Sequence, residues 1–178
     1  MKKQLFRYLS GIIPAIALFT SVNGQVEKPS LESNYNEIIS NEAKANPVTT
    51  KDRSIVNINT NALKEFKKCF KDADKTSWYA IQHGFLAKFT TNDVQTRVFY
   101  DLKGRWTATI RTYSQDKLPA EVRKQVRSNY YDYSIYVVNE IMVGDKTAYL
   151  VSVEDRESIK TICVTENEMD VYEDFKKG

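Results

Sequence analysis

Residues 94–113 read VQTRVFYDLKGRWTATIRTY, and residues 158–175 carry the same rhythm sixty-four positions later as SIKTICVTENEMDVYEDF. In both, apolar and polar residues alternate, a short turn interrupts them, and the alternation resumes. Alternation at period two marks a strand with one buried face, and two such strands around a tight turn make an antiparallel hairpin. A chain that carries this hairpin twice at a fixed offset is constrained to one small α+β unit built twice.

The same signal extends around the first copy. Strands are predicted over 76–82, 85–90, 95–101 and 105–113. Trp78 and Ala80 share a face, as do Phe85, Ala87 and Phe89 with Lys88 opposite; Val98 and Tyr100 stand against Arg97 and Phe99. In the last of these strands Trp106, Ala108 and Ile110 are set against Arg105, Thr107, Thr109, Arg111 and Tyr113. Gly84, Asn92-Asp93 and Gly104 punctuate the strands, and Gly104 suits the left-handed position of a bulged hairpin. A second set is predicted over 133–142, 146–154, 158–165 and 169–175, with Gly144-Asp145 as a tight turn. Phe85, Ala87 and Phe89 correspond to Tyr149, Val151 and Val153, and Val98 and Tyr100 to Ile162 and Val164.

A helix precedes each set. Over 60–72, Leu63, Phe66 and Phe70 make one apolar face, Asn59 or Thr60 can cap the start, and the KDADK segment ends it. Over 118–131, Pro119 sits in the first turn, where its missing N–H costs nothing, and Val122, Val126 and Tyr130 form the stripe. Each unit is thus a helix followed by a four-stranded meander, about 57–113 and 117–175 in a domain over 57–178. The expectation is an α+β fold, a tandem repeat with both helices on one face of a curved antiparallel sheet. The eight strands form either one long sheet or two abutting ones.

The chain ahead of this domain reads differently. Lys2, Lys3 and Arg7 lead into the apolar run 11–20, and Val22 and Gly24 are small residues before a cut at Gln25, so residues 1–24 read as a secretory signal peptide. That run is shorter than the roughly 20 residues of a membrane span, and no cysteine follows the cut to take a lipid anchor. Residues 25–56 are polar, carry Pro29 and Pro47, show no sustained apolar period, and read as a flexible leader with a short helical turn at 35–39. The localisation expected is periplasmic or secreted, without stable membrane insertion. Formal charge is +3, but Lys2, Lys3 and Arg7 account for all of it, leaving 23 basic and 23 acidic residues. A neutral chain lacks the cationic surplus of a nucleic-acid binder.

Chemistry-bearing motifs are scarce. His83 is the single histidine and sits in a turn, so no nucleophile–base pair can be assembled around it. No phosphate-cradling, dinucleotide or zinc-protease string occurs, and no cofactor or metal is implied. Glu166, Glu168, Asp170, Glu173 and Asp174 alternate along a strand and are expected to face solvent rather than converge on calcium. Cys69 and Cys163 would close a long loop if bridged. With Ile162 and Val164 turned to the helices, Cys163 falls on the opposite sheet face from Cys69, which points to two separate thiols.

The sheet face turned away from the helices carries the most recognition chemistry. In the first unit it is expected to hold Tyr79, Lys88, Arg97, Phe99, Arg105, Arg111 and Tyr113, and in the second Tyr136, Glu140, Glu154, Asp170, Tyr172 and Asp174. Residues 57–113 hold ten basic and five acidic groups, and residues 117–178 nine and twelve, so the face is amphoteric. Tyr and Arg are the residues enriched where proteins bind proteins.

The strings GFLAKF, VFYDLKGRW, LPAEVRKQVRSNYYDYSI and EMDVYEDF together resemble the PepSY-like family of secreted bacterial proteins, also called β-lactamase-inhibitor-like after its fold. The most specific marks are Tyr100-Asp101 before Gly104 with Trp106 after it, and Leu118-Pro119 opening a helix that ends in Tyr130-Tyr131-Asp132. The turn at 165–168 departs from the pattern by lacking Gly, with Asn167 available for the left-handed position. The resemblance implies the fold above and inhibition or regulation of an envelope enzyme; it brings no catalytic motif. The expected function is therefore a non-enzymatic exported module binding a protein or peptide in the cell envelope. The alternative is a small-ligand sensor with a pocket between helices and sheet.

Overall fold

The computed structural model describes residues 58–166 and 168–178, together with Ser40 and Asn46–Pro47. The signal peptide read over 1–24, nearly all of the leader over 25–56, its turn at 35–39, and Asn167 lie outside the described residues.

The alternating segments pair in simple sequence order. Strands β1 (Asn46–Pro47), β2 (Ser77–Ile81), β3 (Gly84–Thr91), β4 (Val94–Asp101), β5 (Trp106–Tyr113), β6 (Ser134–Val143), β7 (Lys146–Glu154), β8 (Ser158–Val164) and β9 (Met169–Lys176) form one sheet. Each is antiparallel to the next. Helix α1 (Thr60–Cys69) precedes β2, while a 3-10 turn (Gln115–Lys117) and helix α2 (Ala120–Asn129) lie between β5 and β6. Pairing from Ala108↔Val143 to Tyr113↔Val138 joins the two meanders, so there is one sheet and not two. Within the segment read as leader, β1 pairs with the outer edge of β2, Asn46 opposite Ala80.

Ten-residue helices are marginal alone, and packing holds both. Asn59 caps α1 by accepting the Asn61 N–H at 2.9 Å, and the helix stops at Cys69, earlier than the pattern over 60–72. Ala62 and Phe66 are its buried residues, where Leu63 was expected to share that role and is half-buried. Phe66 lies 5.2, 5.3 and 5.5 Å from Phe70, Trp78 and Phe89, ring contacts worth about 0.5–1.5 kcal/mol each beyond their burial. Around them Phe85, Ala87, Val98 and Tyr100 close the core under α1. Leu118 and Val126 cover Val138, Val151, Val153, Ile162 and Val164 in the core under α2. The register places both cores on the same face of the sheet.

Two glycines fix the first meander. A Cβ on Gly84 would lie 1.8 Å from the Tyr100 carbonyl oxygen, so only glycine lets β3 start there. Gly104 has φ +77°, and a Cβ on it would meet the Ala62 backbone N at 2.6 Å and Asn59 Oδ1 at 2.9 Å. The β4–β5 hairpin thus seats the start of α1, and Asn59 Nδ2 donates to the Leu102 carbonyl at 3.0 Å.

The register shifts at three places, in the β4–β5, β6–β7 and β8–β9 pairings, and the first of them changes the site. Tyr100 pairs with Trp106 but Phe99 pairs with Ala108, so β5 holds an extra residue at a bulge. Beyond it the parity is reversed. Thr109, Arg111 and Tyr113 face the helices, and Ala108, Ile110 and Thr112 face away. The placement of Arg111 and Tyr113 on the helix-free face is therefore corrected, and with it that of Glu140, which pairs with Arg111. The β8–β9 shift, between Thr161 and Ile162, brings Asp174 opposite Lys160 on the helix side.

Candidate protein-interaction face

The helix-free face has an apolar centre and a polar flank. Leu86, Phe99, Ala108, Ile110, Ile141 and Leu150, drawn from five strands, form the centre, with Tyr79, Ile81, Val143, Cys163 and Tyr172 packed around it. Phe99 is 3% exposed, so it belongs to this centre and offers no ring to a partner.

The flank is a broad open groove of about 1010 Å³ whose lining includes Ser77, Lys88, Arg97, Thr112 and Asn139. Lys88 Nζ stands 4.9 Å from the centre of the Tyr79 ring, a cation–π contact. Arg97 Nη2 donates to Thr112 Oγ1 at 3.2 Å, and Thr112 donates to Asn139 Oδ1 at 2.7 Å. These side chains cross five strands, β2 to β6, in one band. Lys88 and Arg97 each make a further interaction beyond these. Guanidinium, ammonium, phenol, hydroxyl and amide in one band provide donors and acceptors spaced by the strand separation of roughly 4.8 Å. That is the chemistry of a surface reading an extended peptide or a protein edge.

Of the seven residues picked out by sequence, Tyr79, Lys88, Arg97 and Phe99 come together on this face. Arg105 is displaced into the β4–β5 hairpin, where its guanidinium pairs with Asp101 at 2.6 Å. Partial burial works to raise the Asp101 pKa. The Arg105 N–H and guanidinium and the Lys103 N–H outweigh that and hold it below the ordinary carboxylate range. Arg111 and Tyr113 lie across the sheet. Thr112 and Asn139 escaped notice because small polar residues leave no pattern; the bulge that turns Thr112 outward was the missing signal.

On the helix side Arg111 Nη1 lies 3.3 Å from Glu140 Oε1, and the Tyr113 hydroxyl donates to Glu140 Oε2 at 2.7 Å. Burial, then the hydrogen bond and charge of Glu140, push the Tyr113 pKa far above the tyrosine range; burial, then the charge of Glu140, raise that of Tyr149. The groove there, of about 380 Å³ between Phe70, Lys71, Phe89, Lys117 and this cluster, is open to solvent. Cys69 is exposed on α1 and Cys163 half-buried on the other sheet face; no disulfide joins them. His83 is exposed in its turn, and Glu166, Glu168, Asp170, Glu173 and Asp174 are all exposed. Among the described residues no group of three or more His, Cys, Asp or Glu could hold a metal ion, and no helix is long and apolar enough to cross a membrane.

No protein-family profile matches the chain, and no curated protein does. Solved structures do. A BLIP-like protein from Bacteroides fragilis superposes with a TM-score of 0.56 at 15% identity, over 70% of this chain and 92% of that one. The fold is BLIP-like. A DUF2874 family protein from Bacteroides ovatus gives a TM-score of 0.53 at 17% identity, over 65% and 85% of the two chains. A candidate periplasmic protein from Bacteroides eggerthii gives 0.52 at 17%, over 65% and 86%. At these identities the likeness fixes the BLIP-like architecture and leaves the site to be read from this chain's own residues.

Proposed function

We propose that this chain is an exported, non-enzymatic binding module of the PepSY-like kind that recognises a protein or peptide through the helix-free face of its sheet. The observation that carries the reading is the band from Tyr79 through Lys88 and Arg97 to Thr112 and Asn139, set beside a large apolar centre. Tyr, Lys and Arg side chains held in order across five strands are the residue types and the fixed donors that a protein-reading surface uses. The two helix-plus-meander halves are, in the same reading, copies of one unit whose binding chemistry has diverged. Export to the periplasm accords with the basic and apolar start of the chain. A small-ligand sensor fits less well, because neither groove encloses its contents.

Affinity capture from the envelope fraction of the native host tests the reading. The unsubstituted chain should retain a protein that Lys88→Glu/Arg97→Glu loses while the variant's melting temperature holds. Retention of the same protein by that variant would overturn it.

A further inference from the structure

The outer sides of the two helices carry charge that the fold does not ask for. Both helices are ten residues long and match at an offset of sixty, with Ala62 and Phe66 in the places of Val122 and Val126. Both turn these residues to the same face of one sheet, so their outer sides look the same way, into solvent. Outside the core positions the two helices share little. Asn61 answers to Glu121, Glu65 to Gln125 and Cys69 to Asn129. The exceptions are Lys64, which recurs as Lys124, and Lys67, which recurs as Arg127.

Lys67, Lys68 and Arg127 sit in the last turns, where a cation favours the helix dipole. Lys64 and Lys124 lie mid-helix, beyond the reach of that effect. Lys64 stands three and four residues before Lys67 and Lys68, and Lys124 three before Arg127; like charges so spaced weaken a helix. These five are the exposed cations of the helices, against two exposed acids, Glu65 and Glu121. Among the described residues no carboxylate forms an ion pair with any of the five. The turns after the helices add nothing to the surplus, since Lys71 and Lys75 stand against Asp72, Asp74 and Asp132. Two exposed apolar side chains flank the rows. Leu102, 64% exposed, lies in the hairpin that Asn59 ties to the head of α1, and Tyr131, 86% exposed, follows the end of α2.

We propose that this helix side docks on an anionic lipid bilayer, where the domain lies on the surface without entering it. Opposite charge selects the occupant. Rows of Lys and Arg with an aliphatic and a tyrosine side chain beside them are the composition of a surface that rests among lipid headgroups. Each cation near an anionic surface strengthens attachment about fivefold, so a few suffice for reversible binding. The chain also exposes acids of its own, Asp170, Glu173 and Asp174 on β9. A second copy docking these on the helices would make a head-to-tail contact that grows into open chains, which a lipid surface does not. With the helices on the membrane, the helix-free face points away from it toward a protein partner. That consequence rests on the binding reading; the docking itself does not.

Co-sedimentation of the chain from Gln25 onward with lipid vesicles tests the proposal. The protein should pellet with vesicles of phosphatidylglycerol and phosphatidylcholine in equal parts at roughly 0.1 M salt, where charges interact over about 10 Å. It should stay in solution with phosphatidylcholine alone, and come off at roughly 1 M salt, where that range falls to about 3 Å. Lys64→Gln/Lys124→Gln removes one cation from each helix and leaves residues that helices accept equally well, so the fold stands and binding should weaken at least about tenfold. Lys146→Glu changes the net charge by the same amount from an exposed position opposite Val143 on the helix-free face, and should bind as the parent does. The same pelleting with both lipids, or none with either, would overturn the proposal. So would a Lys64→Gln/Lys124→Gln variant that binds like the parent, or no worse than Lys146→Glu. Sedimentation without vesicles that the two glutamines abolish would make a second copy the occupant and overturn it as well. No protein partner enters the assay, so its failure is distinct from failure of the capture experiment.

Discussion

Replacing Gly104 by alanine should destabilise the domain by about 2–3.5 kcal/mol, and the same change at Gly144 by no more than about 1.5 kcal/mol. Both glycines hold left-handed turns, with φ +77° and φ +59°. An L-residue there costs about 1–2 kcal/mol, partly offset by about 0.4–1 kcal/mol from the stiffer unfolded chain. At Gly144 that is the whole effect, because a Cβ there meets nothing within 4 Å. At Gly104 the added carbon would press on the Ala62 backbone N at 2.6 Å and on Asn59 Oδ1 at 2.9 Å. Backbone cannot give way there as a flexible side-chain tip would. Asn59 must therefore swing out, and its cap on α1, worth about 1 kcal/mol, goes with its hydrogen bond to Leu102, worth about as much. Urea melts should show both midpoints lowered with unchanged slopes, Gly104→Ala by far the more. Equal midpoints would refute the seating of α1 on the β4–β5 hairpin.

Two further outcomes follow from the ionisable groups. Tyr100, Tyr113 and Tyr149 are held above their ordinary value mainly by burial, so the stability they contribute is complete below pH of about 10 and is lost as pH rises beyond it. Urea midpoints should fall above that pH, and Tyr113→Phe, costing about 1–2 kcal/mol at neutral pH through its lost bond to Glu140, should soften the fall. Asp101 is shifted the other way, so its contribution is present above pH of about 4 and disappears as pH drops through its lowered folded value. Asp101→Asn should cost about 1–2 kcal/mol at neutral pH, with the gap to the parent closing in acid melts.

Most of the architecture was legible from alternation and turn residues. Val98 and Ile162, sixty-four positions apart, are both fully buried toward the helices, as their place in the pattern requires. Asn92 and Asp93 take the positive φ values, 51° and 61°, of the tight turn assigned to them. Alternation carries no mark of an inserted residue, however. Trp106 and Thr109 end up on the same face, joined by a 2.8 Å bond from the indole N–H, and every residue after them in β5 changes sides. That single bulge moved Arg111 and Tyr113 out of the predicted site and Thr112 into it. The β5–β6 join was not legible either, since α2 separates those strands in the chain and nothing local records their pairing. Phe99 was placed on the correct face, but whether a face is wet depends on what lies over it, and that is a tertiary fact.

Hydroxyl-radical footprinting of the captured complex reads most directly which face of the sheet meets the partner. Oxidation of Tyr79 should drop on binding, while Tyr131 at the end of α2 and Leu102 in the β4–β5 hairpin, 86% and 64% exposed, should react as in the free protein. Protection of Tyr131 or Leu102 with Tyr79 unchanged would place the partner on the helix side and contradict the central claim.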